Sequence, residues 1–435
     1  MKTLIKKIIP KSVLGWYHLA LAHIGAELHG FPSRKMIVIG VTGTKGKSTT
    51  AYLIAKALEA EGNKVGLTTT VMFKIADREW TNDLKQTMPG RFTLQKMLRQ
   101  MVKADCRYAV IETSSEGIAQ HRHVGIDYDI VVFTNLSPEH IESHGSYEKY
   151  RAAKLELFRE LAFGHKKVID GRPVKKILIA NADDKEAPFF LAPLADEKWG
   201  YGLGGSWKLL PEGTEVVVGE QATSGEQGSE FSVNHVLFKL PLLGEFNIYN
   251  ALAAISLGLS QQIEIGHMKI ALERAKGLPG RMEEIKTDKG FRVFVDYAHE
   301  PSSLEAVYKT IKSFYPKKII AVLGSQGGGR DKAKRSVLGK LAGEYADHVI
   351  ITNEDPYDED PQVIIDEVAD GVLRVARGKA EKILDRKDAL RQAITLAQPG
   401  DIVIVTGKGG ETKMALKNGK LIDWSDAEII GDLLR

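Results

Sequence analysis

One cysteine, Cys106, stands among 435 residues. That excludes a disulfide framework and any zinc ribbon built on cysteine pairs, and it fits a reducing compartment. No stretch approaches about 18 uninterrupted apolar residues, so no membrane-spanning helix is expected. Charge of one sign is also scarce: 60 Lys and Arg against 56 Asp and Glu leave a net charge of +4. No basic stripe interleaved with aromatics occurs, and no nucleic-acid partner is expected. What remains, 43% hydrophobic and 27% charged residues, is ordinary for a globular chain with sizeable cores. The length allows about two or three domains.

Residues 40–49 read Gly-Val-Thr-Gly-Thr-Lys-Gly-Lys-Ser-Thr, directly after the apolar run Met36-Ile37-Val38-Ile39. A buried strand that breaks into glycines and then Gly-Lys-Ser builds a phosphate cradle. Backbone N–H groups converge on phosphate oxygens, Lys47 adds a point charge, and Ser48 offers a hydroxyl to Mg²⁺. Gly43, Thr44, Lys45, Gly46, Lys47, Ser48 and Thr49 are therefore the candidate ATP-binding residues. Leu53, Ile54, Ala57 and Leu58 follow at helical spacing, so the loop opens a helix. The usual first glycine of the pattern falls on Val41, with glycines at 40 and 43 instead.

Lys2, Lys6, Lys7 and Lys11 precede the segment Val13–Ile24, in which His18 and His23 interrupt the apolar residues. No small-residue cleavage site follows, which argues against a secretory signal, and the expected location is cytoplasmic. Two readings stay open for residues 1–30: a helix packed on the first domain, or a cationic helix in peripheral contact with the inner membrane surface.

Helices and strands then alternate. Tyr108–Ile111, Asp129–Phe133 and Lys175–Ala180 read as buried parallel strands, and Glu148–Leu161 as a helix. Residues 206–240, with Val216-Val217-Val218 and intervening glycines, read as a small antiparallel β insert. Gly277-Leu278-Pro279-Gly280 punctuates the chain before a second strand–helix series. The expected division is a segment 1–35, a central ATP-binding domain 36–278, and a C-terminal domain 279–435. The fold class is α/β: a P-loop domain with a mostly parallel sheet and a β insert, then a Rossmann-like α/β domain.

Glu112 follows the strand 108–111 and His140 follows 129–133, so both fall where ligands sit in such sheets. A carboxylate and an imidazole there are reasonable ligands for phosphate-bound Mg²⁺. Taken alone, each reads more readily as a surface or turn residue, and Lys154 as a solvated lysine on a helix face.

Gly-Val-Thr-Gly-Thr-Lys-Gly-Lys-Ser (40–48), Glu-Thr-Ser-Ser (112–115), Ser-Pro-Glu-His (137–140) and Ala-Ala-Lys (152–154) together resemble the Mur ligases of cell-wall synthesis. Gly-Glu-Phe-Asn-Ile-Tyr-Asn-Ala-Leu-Ala-Ala (244–254), Pro-Gly-Arg-Met-Glu (279–283) and Asp-Tyr-Ala-His (296–299) extend the match. Asp-Arg-Lys-Asp-Ala (385–389), Gly-Lys-Gly-Gly-Glu (407–411) and Trp-Ser-Asp (424–426) carry it nearly to the end. The Asp-Tyr-Ala-His and Gly-Lys-Gly elements resemble the MurE type, UDP-N-acetylmuramoyl-dipeptide:amino-acid ligases.

The resemblance implies that ATP phosphorylates the C-terminal carboxylate of a muramoyl-peptide and that an amino acid's amine attacks the acyl phosphate. It implies Lys47, Lys154 and His299 as catalytic residues. Ser48, Glu112, His140 and Lys154 would hold two Mg²⁺ ions, with Lys154 as a CO₂-derived carbamate. Asn247 and Asn250 would contact adenine, Arg281 the phosphates and Asp296 the ribose; these lie on both sides of Gly280, so the two domains would close. Thr87, Ser114, Gln120 and Arg122 match acceptor-binding positions. Arg330, Glu354, Asp355, Gly407 and Glu411 match the pocket for the free amino acid.

Three departures matter. Glu354-Asp355-Pro356-Tyr357 stands where diaminopimelate-adding relatives carry Asp-Asn-Pro-Arg, and without that Arg a distal carboxylate loses its bidentate partner. A basic amino acid such as lysine is therefore the expected substrate. Gly410 and Glu116 replace the usual histidines of their motifs. About 35 residues precede the phosphate loop, where MurE-type relatives carry a UDP-holding domain; the resemblance thus leaves the acceptor's nucleotide end without a seat in this sequence. Two alternatives remain: a folylpolyglutamate-synthase-like ligase, and an ATP-binding scaffold without ligation.

Overall fold

The computed structural model describes residues 11–137, 145–205, 207–329, 331–375 and 379–435, with side chains from residue 17 onward. The chain forms two compact units. One comprises Met1–Thr223, Glu230–Leu240 and Phe246–Ala275; the other comprises Ser224–Ser229, Pro241–Glu245 and Lys276–Arg435.

The first unit is built on a nine-stranded sheet. Its order is Glu215–Val218, Glu197–Gly202, Ile177–Asn181, Ile130–Phe133, Ile37–Thr42, Tyr108–Glu112, Val65–Thr68, Met72–Ile75 and Arg78–Thr81. All neighbours pair in parallel except at the last two junctions, where the chain folds back as antiparallel ribbons. Ile37–Thr42 is buried along its whole length, as a central parallel strand covered on both faces must be. In register, Val41 lies beside Glu112 and Thr42 beside Phe133, so three strands end together at the phosphate loop. The run Val216–Val218, expected within the β insert, instead forms the sheet's edge, with Val217 beside Tyr201. β-branched residues suit any pleated, half-buried surface, so composition alone did not choose the sheet. The separate three-stranded sheet holds only Glu220–Gly225, Gly228–Val233 and Val236–Leu240.

Helix Tyr147–Leu161 starts at Ser146, whose hydroxyl accepts the Lys149 N–H at 3.2 Å. Tyr150, Lys154, Leu157, Phe158 and Leu161 recur at helical spacing and are all buried. The helix lies so close to the central strand that a Cβ on Gly40 would sit 3.3 Å from Leu157.

The second unit carries a six-stranded sheet ordered Glu283–Ile285, Arg292–Asp296, Ile402–Thr406, Ile319–Leu323, His348–Thr352 and Ala380–Ile383. Only the first pairing is antiparallel. Val293, Val295, Val322, Ile350, Val403 and Val405 form the centre of its core.

Candidate functional site

Two glycines with left-handed backbone, Gly43 (φ 150°) and Gly46 (φ 75°), carry the central strand into helix Lys47–Glu59. A Cβ on Gly43 would fall 2.0 Å from Thr134 Oγ1, and one on Gly46 2.4 Å from Asn250 Oδ1. The loop is laced to the segment after strand Ile130–Phe133. The Thr44 N–H donates to the Asn135 carbonyl (2.8 Å), the Lys45 N–H to Asn135 Oδ1 (2.9 Å), and Thr134 Oγ1 to the Lys45 carbonyl (2.7 Å). Lys47 Nζ arches back to the Thr44 carbonyl at 2.8 Å. Thr134 and Asn135 escaped the sequence reading, because their role is to brace another loop and they bear no charge.

Ser48 Oγ donates to Glu112 Oε2 at 2.8 Å. Glu112, only 2% exposed, also accepts from the Thr70 N–H (2.7 Å) and hydroxyl (3.0 Å). Thr70 Oγ1 reaches Thr87 Oγ1 at 3.0 Å, which ties an expected acceptor position to the carboxylate. Lys154 is 1% exposed, and its Nζ donates to the Gly43 carbonyl at 2.7 Å. The solvated-lysine alternative is therefore excluded. His140 lies outside the described residues.

On helix Glu245–Ser260, Asn250 Nδ2 donates to Asn247 Oδ1 (2.9 Å), and Asn250 Oδ1 accepts from Thr50 at 2.9 Å. The pair thus packs directly on the phosphate-loop helix. Ser114 caps the short helix Ser115–Ala119 through the Gly117 N–H at 3.1 Å. Gln120 Oε1 accepts from Arg122 Nε and Nη2 at 3.1 and 2.8 Å.

In the second unit, Asp296 accepts the Met282 and Ala298 N–H groups, both at 2.7 Å, and burial raises its carboxyl pKa against the opposing pull of Arg281. Arg281 stacks over the Tyr297 ring at 4.3 Å, and His299 Nδ1 meets the Tyr297 carbonyl at 2.8 Å. Three motifs interlock here: a Cβ on Gly280 would lie 1.7 Å from the Gly410 nitrogen, and one on Gly409 2.7 Å from Tyr297 Cβ.

The amino-acid residues expected at the strand ends divide. Lys408, fully buried, donates to Asp355 (2.9 Å), Glu411 (2.6 Å) and the Lys413 carbonyl (2.7 Å). Asp355 and Glu411 are thus engaged by Lys408, a residue absent from the expected site. Glu354 is different: it is fully buried, neither carboxylate oxygen has a hydrogen-bond partner, and burial pushes its pKa up to about 7. It abuts Gly407, where a Cβ would come within 2.1 Å of Glu354 Oε2. Arg330 lies outside the described residues. Arg386, also missed as a site residue, donates to the carbonyls of Asn353 (3.3 Å) and Thr406 (3.0 Å), the residues preceding Glu354 and Gly407.

Among the described residues no group of three or more His, Cys, Asp and Glu side chains gathers as a metal cage. Mg²⁺ needs none: it commonly takes one or two carboxylates plus substrate phosphates and waters. The Ser48–Glu112 pair beside Lys47 supplies hard oxygens where phosphates would lie, so the residues fit that ion. No helix among the described residues is long and apolar enough to cross a membrane.

Comparison with known proteins agrees with this geometry. Residues 41–258 match the Mur ligase middle domain, and residues 280–409 the Mur ligase glutamate ligase domain. A UDP-N-acetylmuramyl-tripeptide synthetase of Roseiflexus sp. (strain RS-1) is 40% identical, over 90% of this chain and 77% of its own. A UDP-N-acetylmuramoyl-L-alanyl-D-glutamate–2,6-diaminopimelate ligase of Syntrophomonas wolfei is 33% identical, over 96% and 82%. A solved structure of a ligase of that second name superposes with a TM-score of 0.60 at 28% identity, covering 92% of this chain and 78% of that one. The chain belongs to the Mur ligase family, whose members are ATP-dependent enzymes forming amide bonds.

Proposed function

We propose that this chain is a MurE-type ligase that joins the carboxylate of a muramoyl-peptide to the amine of an amino acid, with ATP cleaved to ADP and phosphate, in the making of peptidoglycan precursors. The observation carrying this reading is the meeting of Lys47, Ser48, Glu112 and Lys154 around one phosphate loop. Moving a phosphoryl group onto a carboxylate brings two anions together, and the site must supply positive charge and alignment. Bound Mg²⁺ supplies part of that charge. Lys47 neutralises the migrating phosphate, Ser48 and Glu112 hold a metal ion, and His140 a second. Carbamoylation of Lys154, in which the side-chain nitrogen bonds the CO₂ carbon and two protons leave the ammonium, would convert a buried cation into a metal-directed carboxylate next to the loop. Asn247, Asn250, Arg281, Asp296 and His299 hold the nucleotide; Thr87, Ser114, Gln120 and Arg122 hold the acceptor.

For the amine we propose a basic amino acid. The buried, unpartnered Glu354 carboxyl beside Gly407 supports this, as does Tyr357 in place of a carboxylate-binding Arg. Phosphate release measured over a matrix of acceptors and amines tests the reading. Release is expected only with a muramoyl-peptide and a diamino acid together. Release with folate and glutamate, or with neither substrate, would refute it.

We further propose peripheral contact of helix Lys11–Leu28 with an anionic membrane. It exposes Tyr17, Ile24 and Leu28, and Leu28 lines one cavity with the exposed cations Lys35, Arg99 and Lys103. Flotation with anionic liposomes, with and without residues 1–30, decides this point.

A further inference from the structure

Two guanidinium groups meet at Gln120, and the carboxylate whose charge acts on Arg122, that of Glu116, stands beyond ion-pair distance. Arg91 Nη2 donates to the Gln120 carbonyl, while the Arg122 fork grips the Gln120 side chain. Arg122 Nη1 also donates to Gln86 Oε1 at 3.1 Å and to the Met88 carbonyl. Among the described residues, neither arginine has an Asp or Glu oxygen within ion-pair distance, and Arg91 Nε is buried without a hydrogen-bond partner. Burial pushes both guanidiniums down from their usual pKa; the Arg122 charge pushes Arg91 further, while Glu116 pulls Arg122 and Tyr17 pulls Arg91 the other way without offsetting the shift. Arg91 is also the first residue of helix Arg91–Lys103, whose cap residue Gly90 offers no side-chain acceptor. The helix dipole therefore adds positive potential at the same place.

Like charges held together in a partly buried setting repel, and an anion between them relieves the cost. Paired planar forks suit a carboxylate or a phosphate. The cluster is also wired to the reaction site: Arg122 holds Met88, the neighbour of Thr87, and Thr87 bonds Thr70, which bonds Glu112. We propose that Arg91, acting with Arg122, clamps an anionic group of the acceptor distinct from the carboxylate that is activated, and so sets acceptor specificity. This rests on the ligase reading above.

Steady-state rates of the full chain with varied acceptor, ATP and amine test it. Arg91→Ala is expected to raise the acceptor KM about ten-fold or more, the scale of a lost charge-assisted pair, with the ATP and amine KM values unmoved. Arg91→Lys should recover part of the loss. Two further acceptors identify the group. If a second carboxylate is clamped, its amidation makes the acceptor insensitive to Arg91→Ala; if a diphosphate is clamped, removing the nucleotide does so. Binding is read independently by calorimetry, with muramoyl-dipeptide and its nucleotide-linked form titrated into Lys47→Ala protein with and without Arg91→Ala. Unchanged Kd values for both acceptors overturn the clamp, whatever turnover shows. Absence of ligation by the unsubstituted chain, with the Kd difference intact, instead overturns the ligase reading.

Discussion

Lys154 Nζ lies 2.7 Å from the carbonyl oxygen of Gly43, the residue at which the central strand becomes the phosphate loop. A lysine of this helix, 1% exposed, is thus aimed at the turn that would cradle phosphate. If its task is to carry a carbamate, Lys154→Ala should abolish ligation while leaving the fold intact. Short-chain carboxylates, small enough to enter the space vacated, should restore part of the rate. Circular dichroism and phosphate release with and without added acetate check this; ligation at the original rate would remove Lys154 from the chemistry.

Glu354 offers a pH signature. Its buried carboxyl titrates near about 7 in the folded chain, against 4.5 for the ordinary group. Between those values the folded chain holds a proton that the unfolded chain has released. The stabilising share of the neutral form is therefore full below the unfolded value and is lost as pH rises through about 7. Glu354→Gln should remove this slope, leaving stability unchanged at low pH and raising it at pH ~8 by on the order of 3 kcal/mol. Urea melts from about pH 5 to 8 measure the slope. A bound amine with a distal ammonium would cancel the penalty, so ligand-induced stabilisation should grow with pH over the same window.

Much of the first unit could be read from the chain because its signals are local. An apolar run, glycines and Gly-Lys-Ser name a strand, a turn and a helix start within residues 36–58, whatever surrounds them. Lys154 was different: its spacing within helix Tyr147–Leu161 fits a buried face as well as a solvated one, and only the motif resemblance singled it out. Thr134, Asn135, Lys408 and Arg386 were not legible as site residues. Their partners lie far along the chain, as Arg386 and Asp426 do, and a side chain that props up another loop leaves no periodic or compositional trace. The edge strand Glu215–Val218 was misplaced for a related reason, since pairing partners are not encoded in β propensity.

Arg386 and Asp426 form a fully buried bidentate pair, at 2.9 and 2.7 Å, and Trp424 Nε1 adds a third bond to Asp426 at 2.8 Å. Removing one partner leaves the other charge buried and unpaired. Arg386→Met or Asp426→Asn should therefore cost about 3–5 kcal/mol, whereas the double change should cost clearly less than the sum. Urea denaturation of the four proteins completes the cycle. Because Arg386 also ties down the carbonyls before Glu354 and Gly407, the single variants should bind the amine more weakly as well.

In the amino-acid pocket we propose, Tyr357 stands where the motif resemblance puts an Arg for a second carboxylate, and its backbone is left-handed, with φ 52°. Tyr and Arg, both unbranched at Cβ, meet comparable strain there, so Tyr357→Arg adds little new backbone cost. The Tyr357 ring lies against Gly328, where a Cβ would come within 2.9 Å of Cδ2, so the aromatic fills space that an Arg could traverse. A planar fork placed there supplies the bidentate contact that a diacidic amine lacks in this chain. Competition between lysine and diaminopimelate should then shift toward diaminopimelate by about ten-fold, the value of one charge-assisted pair. The buried Glu354 carboxyl stays in place and still favours a cation, so the variant should accept both amines instead of exchanging one for the other. An unaltered ratio would mean that the side chain of the incoming amino acid does not reach this turn.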